Sequence, residues 1–438
     1  MDALIIKGPQ SLFGQLEING AKNGVLPLMV CALLTQGNLR LSNVPILTDM
    51  LTMIELLENY GADVQLDKKN RIIDINCRHI NNFNAPSNIA CKLRASIWTL
   101  APILVKFGRA NIALPGGCNL SATGARHIDL HTSLLEKMGA RFNYEDGYIH
   151  ASINGKLKAA DFNFDKISVG ATINAILAAI LAQGVSNFTN CAIEPEITDM
   201  CHCLVKMGAQ IGGIGTRELT IYGPKELTGT THRVIPDRIE AGTYLIMAAI
   251  TKGAVKINGI NKEMLQALCD KLELAGNKLS FFQDSIALES GGTFDGLTID
   301  TQPFPGFVTD LQAQFMSLMC LANGTSYISE NIYDNRFSHV AQLNKMGANI
   351  TIKDHLATII GVPKLIGSRV YASDLRASVC LVLAGLSAHG ITIINNAKQL
   401  SRGYENLIGK LTSCGIKIEA IQTDEPGVFH EARAYRYS

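Results

Sequence analysis

Apolar residues along this chain fall into two kinds of run that alternate from end to end. The first kind is almost continuously apolar, as in residues 23–34, and has no polar face. A helix built from it must be buried all round. The second kind is amphipathic. After Thr48, the apolar residues Leu51, Ile54 and Leu57 recur at helical spacing, and Thr48 is the expected N-cap. Both kinds stop at a glycine, the residue best suited to the left-handed turn that ends a helix. The glycines closing the continuous runs are Gly37, Gly108, Gly184, Gly253, Gly324 and Gly390. Those closing the amphipathic runs are Gly61, Gly139, Gly208, Gly276, Gly347 and Gly415. Between the two runs lies an alternating segment such as Asn38-Leu39-Arg40-Leu41-Ser42, and two more follow the second glycine. Alternation of this kind specifies half-buried strands. In the second unit, Glu145-Asp146-Gly147 marks the hairpin turn between those two strands. Each unit therefore reads helix, strand, helix, strand, strand. The further continuous runs span residues 96–106, 172–183, 242–251, 311–322 and 377–388.

Successive members of the second glycine set are 78, 69, 68, 71 and 68 residues apart, so six copies of one unit account for nearly the whole chain. From first to second glycine the copies differ little, except that the second takes 31 residues where the others take 23 to 25. Its surplus holds Pro115-Gly116-Gly117-Cys118. An insertion on a repeated scaffold is where function concentrates.

Charged and polar residues recur where the buried helices begin: Lys22-Asn23, Arg94, Lys166 with Ser168, Asp237-Arg238 with Glu240, Asp310, and Asp374 with Arg376. Any one of these is accounted for by ordinary helix capping. Six in register describe helix N-termini and basic side chains gathered for anions such as phosphates and carboxylates. Composition fits a folded chain with a large core. Hydrophobic residues make up 47% and charged residues 18%, and the net charge of +1 disfavours a general nucleic-acid surface. Eleven cysteines without C-x-x-C pairs, and a start lacking a basic, apolar leader, lead us to expect a cytoplasmic protein. No apolar run reaches the ~18 residues of a membrane span.

The ordered motifs Asn19-Gly20-Ala21-Lys22-Asn23, Leu93-Arg94-Ala95-Ser96-Ile97-Trp98, Leu114-Pro115-Gly116-Gly117-Cys118, Gly124-Ala125-Arg126, Lys166-Ile167-Ser168-Val169-Gly170, Pro236-Asp237-Arg238-Ile239-Glu240, Thr309-Asp310-Leu311-Gln312-Ala313-Gln314, Asn335-Arg336-Phe337, Asp374-Leu375-Arg376-Ala377-Ser378 and Arg402-Gly403-Tyr404-Glu405 are a more specific signal. Together they resemble the enolpyruvyl transferases that act on UDP-N-acetylglucosamine at the opening of peptidoglycan synthesis. The resemblance runs from about residue 4 to about residue 420. It implies an α/β fold of two inverted α/β prism domains, each of three repeated units with buried parallel helices. One domain would take residues 21–235, and the other residues 1–20 with 236–438. It implies transfer of the enolpyruvyl group of phosphoenolpyruvate to the sugar 3-hydroxyl, with release of phosphate and without metal or other cofactor. The partners it implies are small molecules, phosphoenolpyruvate and a UDP-sugar, not nucleic acid or membrane. Oligomeric state is left open.

Residue by residue, the resemblance makes Cys118 the proton donor to the methylene carbon and the target of fosfomycin. It makes Asp310 the acceptor of the hydroxyl proton, and Lys22, Arg126 and Arg402 the cations around phosphoenolpyruvate. Arg336 and Arg376 would hold its carboxylate or support that cluster. Asn23 would meet the sugar. Arg94, Asp129, Lys166, Ser168, Val169, Gly170 and Ile332 would line the substrate site, with Val169 and Gly170 acting through backbone N–H groups. Trp98, the only tryptophan, reads as core. The pattern His127-x-Asp129-x-His131 lacks a full ligand set for a metal. The segment 397–401 ahead of Arg402 departs from the family pattern, and so do two features near Cys118. Five residues, 119–123, separate Cys118 from Gly124, more than the family has, and His127 stands where the family has proline. Both imply a longer, looser lid over residues 115–125 and open the acceptor to a different UDP-sugar or uridine nucleotide. Residues 424–438 read as an addition to the family core.

Overall fold

Leu39 and Leu41 are buried while Asn38 and Arg40 are exposed, so the strand Asn38–Ser42 alternates as its sequence does. It lies inside a four-stranded sheet. Thr230–Arg233 runs parallel on one side, Ile72–Asn76 antiparallel on the other, and Asp63–Asp67 pairs beyond that. The same order recurs in all six sheets of the computed structural model, which describes residues 2–114 and 126–422. The short parallel strand on each sheet's flank was not legible in the alternation. These strands, Phe13–Glu17, Asn84–Ala85, Asp161–Asn163, Thr230–Arg233, Thr298–Asp300 and Arg369–Tyr371, are two to five residues long. That is too short for a period to register. The sixth unit supplies only one strand after its second glycine, Ile418–Ile421. Its missing partner is Ala3–Gly8 from the opposite end of the chain, inserted between Gly390–Asn395 and Ile418–Ile421.

Two compact units result, residues 19–235 and residues 1–18 together with 236 onward. The chain crosses between them at Ile18–Asn19 and Ile235–Pro236. Each has its own hydrophobic core, with no core residue shared. In the second unit the central helices are Arg238–Ile250, Gln312–Met319 and Leu375–Ser387. All thirteen residues of Arg238–Ile250 are buried, as the lack of a polar face predicts. Asp310 beside the start of one helix touches Arg376 at the start of another, and Gln314 touches Thr243 in the first turns of a third. The three helices therefore run the same way, with their N-termini together.

The glycines that close the amphipathic helices all adopt positive φ, from 85° to 107°. Gly253, in the first set, has a different reason for being glycine: a Cβ there would lie 2.0 Å from the carbonyl oxygen of Leu12. Two local expectations change. The helix Thr48–Tyr60 is preceded by extended Leu47 with no side-chain cap, and the Thr48 carbonyl instead accepts from the Thr52 hydroxyl at 3.0 Å. Its buried face is Asp49, Met50, Met53, Leu56, Leu57 and Tyr60, whereas Leu51 is 40% exposed. The buried runs at 96–106 and 311–322 begin as tight 3-10 turns, Arg94–Thr99 and Thr309–Leu311, before becoming α-helical. No described helix is long and apolar enough to cross a membrane.

Candidate active site

In the unit that carries residues 236 onward, the tight turn Thr309–Leu311 brings Asp310 to the head of the helix Gln312–Met319. Its carboxylate meets two guanidiniums. Arg336 Nη2 is 2.6 Å from Oδ1, and Arg376 Nη2 is 2.7 Å from Oδ2. Arg376 projects from the first turn of Leu375–Ser387. Asp374 caps that helix, accepting from the N–H groups of Arg376 at 2.8 Å and Ala377 at 3.0 Å. Arg336 follows Asn335, a left-handed turn residue with φ 59°. The arginine is held there by the Tyr333 ring, 4.9 Å below its guanidinium carbon, and by a bond from Nη1 to the Thr309 hydroxyl at 3.0 Å.

A residue that sequence reading passed over builds this loop. Glu330 is 2% exposed and accepts from the N–H groups of Ile332 and Tyr333, both at 3.1 Å, and from the hydroxyls of Thr301 and Thr309. The Ile332 N–H thus serves the loop. The signal for Glu330 is weak in sequence, because its partners lie on three segments and follow no spacing.

Burial works against ionising Asp310, but Arg376 and Arg336 outweigh it and hold the carboxyl well below the usual carboxylate range. Arg376 is raised in turn: burial lowers it, and Asp310 more than compensates. A carboxylate so held is a weak base until another anion takes over its guanidiniums. Arg402 ends the 3-10 turn Ala397–Arg402 and is half-buried.

In the unit of residues 19–235, Lys22 is the first residue of the helix Lys22–Cys31. Its ammonium lies 2.7 Å from Oδ2 of Asp49, in the first turn of Thr48–Tyr60. The pair is largely buried, with side chains 15% and 5% exposed. Asn23 beside it is half-buried. Ser168 caps Val169–Leu181, its hydroxyl accepting from the Ala171 N–H at 3.3 Å. Val169 and Gly170 open this helix. A Cβ on Gly170 would come within 3.2 Å of the His131 ring and 3.6 Å of Trp98 Nε1, so the helix start packs against both rings. Trp98 is half-buried, with its indole nitrogen fully enclosed. Arg94, Lys166 and Asp129 are exposed. Asp129 is exposed and His131 buried on one helix, so the two do not converge on a metal position. Cys118, the expected lid 115–125, the side chain of Arg126 and the tail 424–438 lie outside the described residues. Of the described cysteines only Cys91 is exposed. Burial pushes the thiols of Cys77, Cys191, Cys201, Cys203, Cys269 and Cys380 up to about 12.

In the unit of residues 236 onward, Arg376 at a helix start and the Arg336–Asp310 pair form a set fitted to bind a small anion and to exchange a proton near it. Comparison with known proteins narrows the chemistry. A family model described as EPSP synthase (3-phosphoshikimate 1-carboxyvinyltransferase) matches residues 6–411. A UDP-N-acetylglucosamine 1-carboxyvinyltransferase of Rickettsia akari (strain Hartford) is 49% identical over 423 residues, covering 96% of this chain and 100% of that protein. The protein of that name from Rickettsia felis (strain ATCC VR-1525 / URRWXCal2) is 49% identical over 425 residues, with the same coverage. Among solved structures, the enolpyruvyl transferase NikO from Streptomyces tendae superposes with a TM-score of 0.85 at 22% identity, covering 95% of this chain and 98% of that one. An EPSP synthase from Acinetobacter baumannii gives a TM-score of 0.70 at 17% identity, covering 96% and 99%. These two share the fold. By sequence and by fold, the chain belongs to the EPSP synthase family of enolpyruvyl (1-carboxyvinyl) transferases and, within it, to the UDP-N-acetylglucosamine 1-carboxyvinyltransferases.

Proposed function

We propose that this enzyme transfers the enolpyruvyl group of phosphoenolpyruvate to the 3-hydroxyl of UDP-N-acetylglucosamine and releases phosphate, the opening step of peptidoglycan synthesis. The observation that carries the reading is the Asp310 carboxylate bridging Arg336 and Arg376, in a chain 49% identical to relatives of that name. Phosphoenolpyruvate brings a carboxylate and a phosphate. Either competes with Asp310 for the guanidiniums, because a planar fork binds any carboxylate or phosphate in the same way. Once relieved of them, Asp310 regains basicity as the substrate arrives. It then takes the proton from the sugar hydroxyl while that oxygen bonds to C2 of phosphoenolpyruvate. Cys118 gives a proton to C3, leaving a tetrahedral ketal. Loss of a proton from C3 and of phosphate from C2 restores the double bond. Lys22 and Arg402 offset the charge that leaves as phosphate. The N–H groups at Val169 and Gly170, at a helix start, suit the diphosphate of the acceptor.

Phosphate release is the direct assay. We expect it to require both phosphoenolpyruvate and UDP-N-acetylglucosamine and to be unchanged by EDTA. Equal or faster turnover with another UDP-sugar would move the acceptor assignment. Loss of activity in EDTA, restored by a divalent ion, would refute the metal-free chemistry.

A further inference from the structure

We infer that Tyr404, with Thr243 and Gln314, is a positioning device for the reaction: one buried hydrogen-bond chain holds the Arg402 segment in register with the Asp310 turn. The inference rests on the reading of Asp310 and Arg402 as working residues. It concerns three side chains that touch no reacting atom in that reading.

The three are enclosed, with Thr243 and Gln314 fully buried and Tyr404 3% exposed. Their protons can be assigned one by one. The Thr243 hydroxyl donates to the Ile239 carbonyl at 2.8 Å. Its oxygen is then free to accept, so in the 2.9 Å contact the Tyr404 hydroxyl is the donor. Gln314 Nε2 donates to the Asp310 carbonyl at 2.9 Å, and its other hydrogen is shared between Thr243 Oγ1 at 3.2 Å and Tyr404 Oη at 3.3 Å. Turning the amide over would set its oxygen against the Asp310 carbonyl, so the chain has one consistent direction. Every link runs between different segments of the fold, except the two internal to a helix start.

The consequence for the site is geometric. Asp310 sits in a single 3-10 turn, whose carbonyl Gln314 holds. Tyr404 stands two residues after Arg402. Between them Gly403 presses on Leu375, where a Cβ would come within 2.6 Å of Leu375 Cδ2. Leu375 adjoins Arg376. The Tyr404 hydroxyl therefore fixes where Arg402 leaves the backbone relative to Asp310 and Arg376. Burial pushes the Tyr404 phenol up, against the pull of Arg376, so it remains a neutral donor. Deleting a hydroxyl from so enclosed a cluster strands its partners. The freed amide hydrogen of Gln314 and the lone pair of Thr243 must then repack.

The test uses the full-length enzyme and steady-state phosphate release, with Tyr404→Phe, Thr243→Val, Thr243→Ser and the double variant Tyr404→Phe/Thr243→Val. Tyr404→Phe and Thr243→Val should each lower kcat/KM for phosphoenolpyruvate by roughly tenfold. KM for UDP-N-acetylglucosamine should stay unchanged. Thr243→Ser, which keeps the hydroxyl, should restore wild-type rates, and the double variant should be little worse than either single one. Three results would overturn the inference: wild-type kinetics in both single variants, equal losses in Thr243→Ser and Thr243→Val, or a loss that falls equally on the UDP-sugar. Asp310→Asn separates the two levels. Near-normal turnover there removes the catalytic reading itself. Slow turnover there with normal Tyr404→Phe and Thr243→Val removes only the positioning role.

Discussion

Replacing Asp310 by asparagine keeps the shape of the side chain and removes its charge from between two guanidiniums at 2.6 and 2.7 Å. Charge-assisted bonds of this kind are worth about 1.5–3 kcal/mol each. The amide oxygen can keep one of them in weaker form. Removing one partner of a largely buried ion pair costs about 3–5 kcal/mol; with side chains 13–21% exposed, the lower end, about 3 kcal/mol, is expected here. Binding should move the other way. Without its internal competitor, the Arg336–Arg376 pair should hold phosphoenolpyruvate as well as or better than in the native enzyme. Turnover, which needs the proton acceptor, should fall by about two to four decades, equivalent to about 3–5 kcal/mol in the barrier. The depressed folded-state value of Asp310 adds a pH signature. Its stabilising charge is present above the unfolded carboxylate value and is lost only as pH falls through the lower folded one. In the free enzyme the residue stays ionised through the neutral range, so the ratio of native to variant kcat/KM should be flat there. Calorimetry gives the affinity, phosphate release the rate and urea unfolding the stability. Turnover within threefold of native would mean that Asp310 only holds its arginines. Loss of phosphoenolpyruvate binding would mean that it organises them for binding and takes no proton.

Fosfomycin should label Cys118, located by mass spectrometry of peptides; adducts confined to exposed Cys91 would remove Cys118 from its role. Glu240 is 4% exposed in its side chain beside Lys410 at 2.7 Å, and burial pushes it up to about 7 despite that lysine. A raised carboxyl contributes stability below the unfolded value, near 4, that is lost as pH rises through the folded one. Glu240→Gln should therefore flatten the stability–pH curve between about pH 4 and 7, and an unchanged slope in urea midpoints would refute this. Gly61→Ala and Gly139→Ala both place alanine at positive φ, 103° and 105°. Only at Gly61 would the Cβ strike something, the His79 carbonyl at 2.8 Å, so Gly61→Ala should melt lower. Equal shifts, of about 1 kcal/mol each, would leave φ alone as the cause.

The six-unit repeat was legible because its cause is local. A helix with no polar face has to be buried, and each amphipathic helix gives way to a glycine that can turn left-handed. All six closing glycines do so, from Gly61 to Gly415. The placement of charged and capping residues at the helix starts was legible for the same reason, since Lys22, Ser168 and Arg376 each occupy a first turn or cap. The face of Thr48–Tyr60 was misread at Leu51, while Leu57 is buried and Ile54 packs against the core; Met50, Met53 and Leu56 fit the helical period as well as Leu51 does, and only the packing against neighbours chooses between them.

What the sequence determined by itself is the unit, its count, its endings and the kinds of charge placed at the helix starts, each set by interactions among residues a few positions apart. Which charges pair was decided only by the tertiary structure. Asp310 joins Arg336 and Arg376, Lys22 joins Asp49, Glu330 shapes the Ile332 loop, and Ala3–Gly8 completes the sixth sheet across almost the whole chain. A carboxylate's basicity, a guanidinium's availability and a strand's partner are properties of distances between segments far apart in sequence. Those distances exist only once the apolar helices have been driven out of water and packed.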